Sequence, residues 1–160
     1  MRTFTFGFLL IFGEEYGWRG FLLENLSRAR GRLFAAVASG AAWALWHAPI
    51  VFFLARFSHL DNPWRVMQVQ SMAVLVASMP FAHSYFLSRS IVPPMLFHFT
   101  WNLFNPAVLG DIHQNQAGIV VGNMLYINGE ALAGIIAGLP FVVWFVYREK
   151  RKIRAGLDPA

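Results

Sequence analysis

The sequence predicts an all-α fold, a polytopic transmembrane helical bundle of about five membrane helices with one short interfacial helix. Hydrophobic residues make up 57% of the 160 positions and charged residues only 13%, whereas soluble domains carry about 25% charged residues. Long stretches without any charge separate short basic segments. A soluble chain of this size could not hide so much apolar surface from water, so the pattern favours a membrane protein.

Each predicted span is an apolar run of the length that a helix needs to cross a bilayer, roughly 20 residues. Four runs contain no Asp, Glu, Lys or Arg: Leu33–Ala55, Val66–Ser88, Ser90–Gly110 and Ala131–Tyr147. A fifth run, Thr3–Leu26, is strongly apolar at both ends but carries charges in its middle. Within the cation-free loop 111–130, the stretch Ile119–Ile127 predicts the short interfacial helix.

The cations are divided unequally between the two sides of these spans. Nine of them fall on one side: Arg28, Arg30, Arg32, Arg89, Arg148, Lys150, Arg151, Lys152 and Arg154. The positive-inside rule makes that side, with the C-terminus, cytoplasmic. We therefore expect an integral membrane protein with a transmembrane domain, 1–147, and a basic cytoplasmic tail, 148–160. The N-terminus then lies outside, which suggests that upstream helices are missing, and the short loops suggest a bacterial plasma membrane.

Composition excludes several kinds of chemistry and partner. The chain has no cysteine, which rules out disulfides, thiol nucleophiles and cysteine-ligated zinc. The net charge is +5, but the cations flank apolar runs and do not form the basic face that nucleic acid requires. We expect membrane lipid, and no nucleic acid, as a partner.

Three charged residues lie close together in the first span. An ionisable side chain near the bilayer centre costs about 2.5 to 3.5 kcal/mol on insertion scales, so such residues are expected to be paired and functional. Glu15 and Arg19 are four positions apart, which places them on one helix face as an ion pair. Glu14 points about 100° away from Glu15, so it needs a partner from another helix.

Polar residues also interrupt the second and fourth spans. His47 lies midway along the second span, beside Pro49. His98 and Asn102 are four positions apart on the fourth span, and therefore share a face. Counted from the cytoplasmic ends, these three residues and Glu14 lie roughly 10 to 21 Å deep. The depths allow them to meet in one layer of the membrane, and we expect all four side chains to be buried.

Such a set contains the groups needed to hydrolyse a peptide bond without a covalent nucleophile. Glu14, in apolar surroundings and helped by His47, is suited to deprotonate a water molecule. His98 and the Asn102 amide can donate hydrogen bonds to the oxyanion of a tetrahedral intermediate. The alternative is that Glu14, His47 and His98 bind zinc and leave a fourth position for water. Spacing does not support that site, because the sequence lacks a His-Glu-x-x-His motif.

The same residues resemble the three motifs of one enzyme family. Segment 14–20, Glu-Glu-Tyr-Gly-Trp-Arg-Gly, resembles the EExxxR motif of the CAAX-protease and bacteriocin-processing (CPBP or Abi) intramembrane peptidases. Segment 43–47, Trp-Ala-Leu-Trp-His, is similar to the FxxxH motif, with Trp in place of Phe. Segment 98–102, His-Phe-Thr-Trp-Asn, matches the HxxxN motif. The three motifs follow the family's order, each on an apolar helix.

The resemblance implies an intramembrane endopeptidase and gives the four catalytic candidates the same tasks as the chemistry does. It makes Glu15 and Arg19 a supporting pair around them. The implied substrates are peptides or membrane proteins, either prenylated CAAX tails or bacteriocin-like peptides. A metalloprotease mechanism and a metal-free glutamate mechanism both fit the family, and we favour the second, which requires no cofactor.

Two other functions remain open from the sequence. A non-catalytic bacteriocin immunity or partner-binding protein of the same fold would not depend on His98 or Asn102. A proton or cation pathway would use Glu14, His47 and His83, but it would leave the third motif without a task.

Overall fold

The described part of the chain is built of helices, and the predicted all-α fold is confirmed. The computed structural model describes residues 2–60 and 62–156, with side chains from residue 7 onward. Within these ranges the elements of regular structure are helical, apart from an isolated β-bridge between Asp111 and Gln116.

The first predicted span is an almost continuous helix whose hydrogen-bonding pattern changes in the middle. Helix α1 is Arg2–Glu15, a π-helical segment follows over Tyr16–Leu23, and α2 is Glu24–Arg30. The run ends at Gly31, whose φ of 80° is a conformation that glycine adopts without strain. π-helical turns are rare and occur mainly at functional sites. This one begins directly after the two adjacent glutamates.

The remaining spans also correspond to long helices. The later elements are α3 Arg32–Phe57, α4 Pro63–Ser88, α5 Val92–Leu109, the short α6 Met124–Ile127, and α7 Leu132–Arg154. The four long ones contain interior prolines, which membrane helices tolerate because neighbouring groups satisfy the freed backbone atoms. By length and hydropathy, Arg32–Phe57 and Met124–Arg154 are suited to cross a membrane. Helix α7 runs to Arg154, so the first half of the predicted tail is helical.

The interfacial helix is shorter than predicted. The sequence predicts it over Ile119–Ile127, whereas α6 comprises only Met124–Ile127 and is capped by the side chain of Asn123. The backbone N–H groups of Ile119 and Val120 instead donate to carbonyls near the end of α5, at 3.2 and 2.9 Å. The last carbonyls of a helix lack donors within that helix, and here the loop supplies these donors. Residues 119 and 120 therefore do not take part in α6.

The described residues form two units, each assembled from separate segments of the chain. The first contains the described residues of Met1–Ser39, Ser78–Trp101 and Phe141–Ala160. The second consists of Gly40–Ala77 and Asn102–Pro140. Long-range packing, rather than one continuous stretch of sequence, therefore builds each unit.

The first unit has a buried apolar interior, and ion pairs link α2 to the turn after α4. Leu23 of the π-helical segment and Phe145 of α7 are fully buried. Glu24 accepts hydrogen bonds from Arg28 at 3.0 Å and from Arg89 at 3.2 Å. These bonds join α2 to the turn that follows α4.

The second unit is closed by a network of buried amides. Its apolar core comprises Val51, Ala55, Val66, Ile112 and Ala131. Asn128 is fully buried and donates to the carbonyl of Gly110 at 2.6 Å. Its Oδ1 accepts from the side chain of Asn105 at 3.1 Å and from the backbone N–H of Glu130 at 2.8 Å. Asn105 accepts in turn from the backbone N–H of Gly129 at 3.0 Å. The loop is thereby fixed to α5.

We predict that Asn128→Ala destabilises the protein by about 3 kcal/mol, because it leaves several buried donors and acceptors without partners. Thermal unfolding in detergent micelles, followed by circular dichroism, measures the effect. Gln114→Ala, at an exposed position of the same loop, is the control and should unfold like the wild type. Equal unfolding temperatures for the two variants would contradict the structural role of Asn128.

A histidine–glutamate contact ties the same loop together. His113 Nε2 lies 3.3 Å from Glu130 Oε2, which also accepts from the Gln70 amide at 3.1 Å. The Ser58 hydroxyl donates to the carbonyl of His113. Burial lowers the pKa of His113, but the hydrogen bond and charge of Glu130, with the charge of Asp111, outweigh burial, so the pKa is raised.

The raised pKa predicts a stability that depends on pH. The contribution of protonated His113 is complete below its ordinary pKa of 6.5 and is lost as the pH rises through the raised value. We expect the unfolding temperature to fall more steeply between about pH 6 and about pH 8 in the wild type than in His113→Gln. Glu130→Gln should show the same reduced slope. Identical slopes in all three proteins would disprove the contact's contribution.

Candidate active site

The first motif forms the ion pair that its spacing predicts. Glu15 is the last residue of α1, and Arg19 lies in the π-helical segment that follows. Arg19 Nη1 donates to Glu15 Oε1 at 2.9 Å, and the two side chains are 3% and 0% exposed. Two charges so far from water are sustained only by good geometry and further hydrogen bonds. The surroundings of this buried ion pair must therefore supply further hydrogen bonds.

His98, from the third motif, joins this pair. Its Nδ1 lies 2.8 Å from the same Oε1 atom of Glu15, although the two residues are 83 positions apart. The residue is 6% exposed. The structure thus brings Glu15, Arg19 and His98 together around one carboxylate oxygen, and we call these three residues the Glu15 cluster.

An aromatic side chain from α4 covers the Glu15 cluster. The guanidinium carbon of Arg19 lies 4.6 Å from the ring centroid of Phe81, a favourable cation–π distance. The ring of His98 meets Phe81 edge to face, with centroids 5.6 Å apart. Sequence reasoning gave Phe81 no role beyond packing, and nothing in the sequence distinguishes it from the other fifteen phenylalanines.

One atom of the Glu15 cluster is unsatisfied. Glu15 Oε2 is buried and accepts no hydrogen bond from the described residues. A buried polar atom in that state costs about 1 to 3 kcal/mol. Such atoms are rare in proteins and call for an explanation, of which a catalytic role is one.

Glu14 differs from Glu15 in its exposure. The sequence predicts a buried side chain, but Glu14 is half-buried, whereas Glu15 is fully buried. Neighbouring residues on a helix point about 100° apart, so they cannot both face the same packed cluster. Arg19 lies within electrostatic range of both carboxylates. Glu14 therefore shares the charge environment of the cluster while keeping access to its surroundings.

His47 belongs to the second unit, and it too is half-buried rather than buried as predicted. Its Nδ1 lies 3.0 Å from the carbonyl oxygen of Trp43, one turn earlier in α3. Because a carbonyl only accepts, Nδ1 carries the proton of the neutral ring and Nε2 carries the lone pair. Trp43 and Trp46 meet the ring edge to face, with centroids 5.4 and 4.8 Å away. The ring orientation is thus fixed by its neighbours.

Asn102 also belongs to the second unit, and its side chain is exposed, which corrects the prediction that it is buried. Of the four catalytic candidates, His98 alone is fully buried in the described chain. The buried amide of α5 is Asn105, which is occupied by the network around Asn128. Sequence reasoning missed Asn105, although an asparagine within an apolar run is a detectable signal. The exposed amide of Asn102 is the one placed to meet another molecule.

His83 is accounted for by packing. Its Nε2 accepts from Arg148 Nη1 at 3.3 Å. Three aromatic rings of α7 meet it edge to face, those of Phe141, Trp144 and Phe145, with centroids 5.1 to 5.7 Å away. The Arg148 contact occupies the acceptor nitrogen of the ring. This arrangement does not favour the proton pathway that the sequence left open.

The described residues around Glu15 do not form a cluster of metal ligands. Within 2–60 and 62–156 no group of three or more His, Asp or Glu residues is arranged to hold a metal ion. At the Glu15 cluster, Arg19 already places a positive charge on the carboxylate oxygen, and a second cation there would be repelled.

Comparison with known proteins identifies related enzymes. The family model of type II CAAX prenyl endopeptidases, Rce1-like, matches residues 1–104. The CAAX prenyl protease 2 of Methanococcus maripaludis is 26% identical over 97 residues, which make up 56% of this chain and 34% of that protein. The match thus spans about a third of that relative's length. No solved structure matches the chain significantly.

The family match covers the part of the chain in which the three motifs lie. It extends from before Glu14 to beyond Asn102 and includes more than half of the 160 residues. Together with the two apolar helices long enough to cross a bilayer, it identifies a membrane protein. The chain belongs to the Rce1-like family of type II CAAX prenyl endopeptidases.

Proposed function

We propose that this chain is an intramembrane endopeptidase that hydrolyses a peptide bond with a water molecule activated by Glu14 and His47. His98 and Asn102 stabilise the oxyanion of the tetrahedral intermediate. Glu15 and Arg19 support the site without contacting the substrate.

The difference between the two adjacent glutamates carries this proposal. Glu15 is fully buried, and its Oε1 accepts from both Arg19 and His98. A carboxylate with no exposed surface cannot approach a water molecule and a substrate together. Glu14 lies beside it and is only half-buried. A general base must approach both the water and the substrate, so Glu14 is the carboxylate suited to the reaction.

The proton moves in two steps. Glu14 takes a proton from the water as the water oxygen attacks the carbonyl carbon, which forms the tetrahedral intermediate. When the carbon–nitrogen bond breaks, Glu14 returns the proton to the leaving amine. The Nε2 lone pair of His47, which follows from the Nδ1 contact with Trp43, can accept a hydrogen bond from the same water and orient it.

The oxyanion is assigned to the third motif. An amide N–H and an imidazole N–H are both suitable donors for a developing negative charge. Asn102 has the exposed amide and His98 has a ring fixed by Glu15.

Substrate and location follow from the family and from the charge distribution. The relative in Methanococcus maripaludis is a CAAX prenyl protease, which favours a peptide or membrane protein with a prenylated tail over a bacteriocin-like peptide. Zinc held by Glu14, His47 and His98 is the alternative, and we favour the metal-free scheme because the sequence lacks a His-Glu-x-x-His motif. The nine cations on one side support a cytoplasmic C-terminus. The short loops are our reason for proposing a bacterial plasma membrane.

We predict that Glu14→Gln lowers kcat by at least about 100-fold, because the amide cannot take the proton. Asn102→Ala should lower kcat by about 100-fold through loss of an oxyanion donor. The assay uses the purified chain in liposomes with a farnesylated CAAX peptide and its unprenylated counterpart. Glu24→Gln is the matched control, since it changes a glutamate of the Arg28 ion pair away from the site.

Three outcomes would contradict parts of the proposal. Cleavage by Glu14→Gln at the wild-type rate would remove Glu14 from the mechanism. Loss of activity on treatment with a chelator, and its return with zinc, would replace the metal-free scheme. Failure of the folded wild type to cleave either peptide would overturn the peptidase assignment in favour of a binding function.

A further inference from the structure

We propose that Glu15 is a positioning residue for His98, which holds the ring in one orientation and keeps a proton on Nδ1. Nε2 is then the ring nitrogen presented to the reaction. This inference rests on the proposed function for its catalytic consequence, but the tautomer itself can be measured without turnover.

The hydrogen bond between the two side chains defines the tautomer. Nδ1 of His98 lies 2.8 Å from Oε1 of Glu15. A carboxylate oxygen accepts and does not donate, so the nitrogen facing it must carry the hydrogen. The hydrogen bond made by one ring nitrogen sets the role of the other. The proton that enters or leaves the ring therefore does so at Nε2.

Arg19 fixes the acceptor in place. It donates to the same Oε1 atom at 2.9 Å, and a guanidinium has donors only. Rotation of the Glu15 carboxylate away from His98 would break this bond as well. One oxygen thus serves two donors, and the rotamer of Glu15 is determined by both.

Phe81 restricts rotation of the histidine ring. The two rings meet at 81° with centroids 5.6 Å apart. A second aromatic ring, that of Phe97, lies 4.7 Å from the Phe81 centroid. Turning the His98 ring to exchange its nitrogens would break the hydrogen bond to Glu15 and disturb the contact with Phe81.

The consequence for catalysis is specific. With Nδ1 already protonated, a doubly protonated ring offers an N–H at Nε2 to the oxyanion. If the proton sat on Nε2 of a neutral ring instead, Nδ1 would have no hydrogen to share with Glu15. The Glu15 contact therefore requires the His98 ring to carry both protons when it donates to the oxyanion, and the negative charge of Glu15 balances the positive charge of that ring.

The test measures the tautomer directly. Nitrogen-15 NMR of histidine-labelled protein in detergent micelles distinguishes a protonated Nδ1 from an unprotonated one. The His98 signal is assigned by its disappearance in His98→Asn. We expect a protonated Nδ1 in the wild type. An unprotonated Nδ1 there would overturn the proposal without recourse to any further variant.

Variants at the pair then test whether Glu15 is the cause. Glu15→Leu/Arg19→Leu removes both charges, so no buried ion is left unpaired, a change that proteins often tolerate. Its His98 should lose the Nδ1 proton in favour of Nε2. We expect kcat to fall by about 100-fold, because a neutral ring that nothing holds in place replaces a charged donor held in one orientation. Glu24→Leu/Arg28→Leu is the matched control, because it removes a pair of the same spacing in which Arg28 is exposed and Glu24 is half-buried. The control should keep both the wild-type tautomer and the wild-type rate.

A conservative variant separates positioning from mere structural support. Glu15→Gln keeps an oxygen that can accept from Arg19 and from Nδ1, so it should retain the protonated Nδ1 and more activity than the double variant. A double variant with the wild-type tautomer would overturn the proposal, whatever its rate. A wild type with the expected tautomer but no peptidase activity would overturn the proposed function and leave the assignment of the Nδ1 proton standing.

Discussion

A carboxylate without access to water is the constraint on which the first unit depends. Removing such an ion from water costs several kcal/mol even after the protein relaxes. Glu15 offsets part of this cost with two donors, Arg19 and His98, both within 2.9 Å of one oxygen. The requirement determines the local architecture. The π-helical segment carries Arg19 beside Glu15, α5 brings His98 to it, and Phe81 of α4 closes the cluster.

The same constraint separates the tasks of two adjacent glutamates. A pair of carboxylates with different surroundings is a common way to obtain different chemical roles from one residue type. Glu15 accepts its hydrogen bonds from Arg19 and His98 instead of from water, and these bonds hold its carboxylate in place. Glu14, one residue earlier and about 100° round the helix, remains half-buried. The proposed mechanism uses both glutamates, because the group that reacts must be accessible, whereas the group that aligns its partners can be buried.

Local patterns were predictable from the sequence, and contacts between distant segments were not. The Glu15–Arg19 pair followed from a spacing of four, and the helix bounds followed from apolar runs. The contact of His98 with Glu15 depends on how two helices pack, which no short spacing encodes. The resemblance to the family motifs assigned both residues to one site, but it did not indicate that they contact each other. The prediction that Asn102 is buried was wrong. A polar residue in an apolar run is costly to place in a membrane, but the sequence does not show whether a neighbouring helix covers it.

The identity of the cation at position 19 follows from the geometry of the cluster. Arg19 donates to Glu15 through Nη1 while its guanidinium carbon stacks over Phe81. A planar, delocalised cation can do both at once, because its donors lie in the plane and its face is left for the ring. A lysine ammonium is a strongly hydrated point charge and has no such face. The first motif therefore needs arginine for its planar shape as well as its charge. The planar shape is required because the apolar ring of Phe81 packs against the face of the guanidinium.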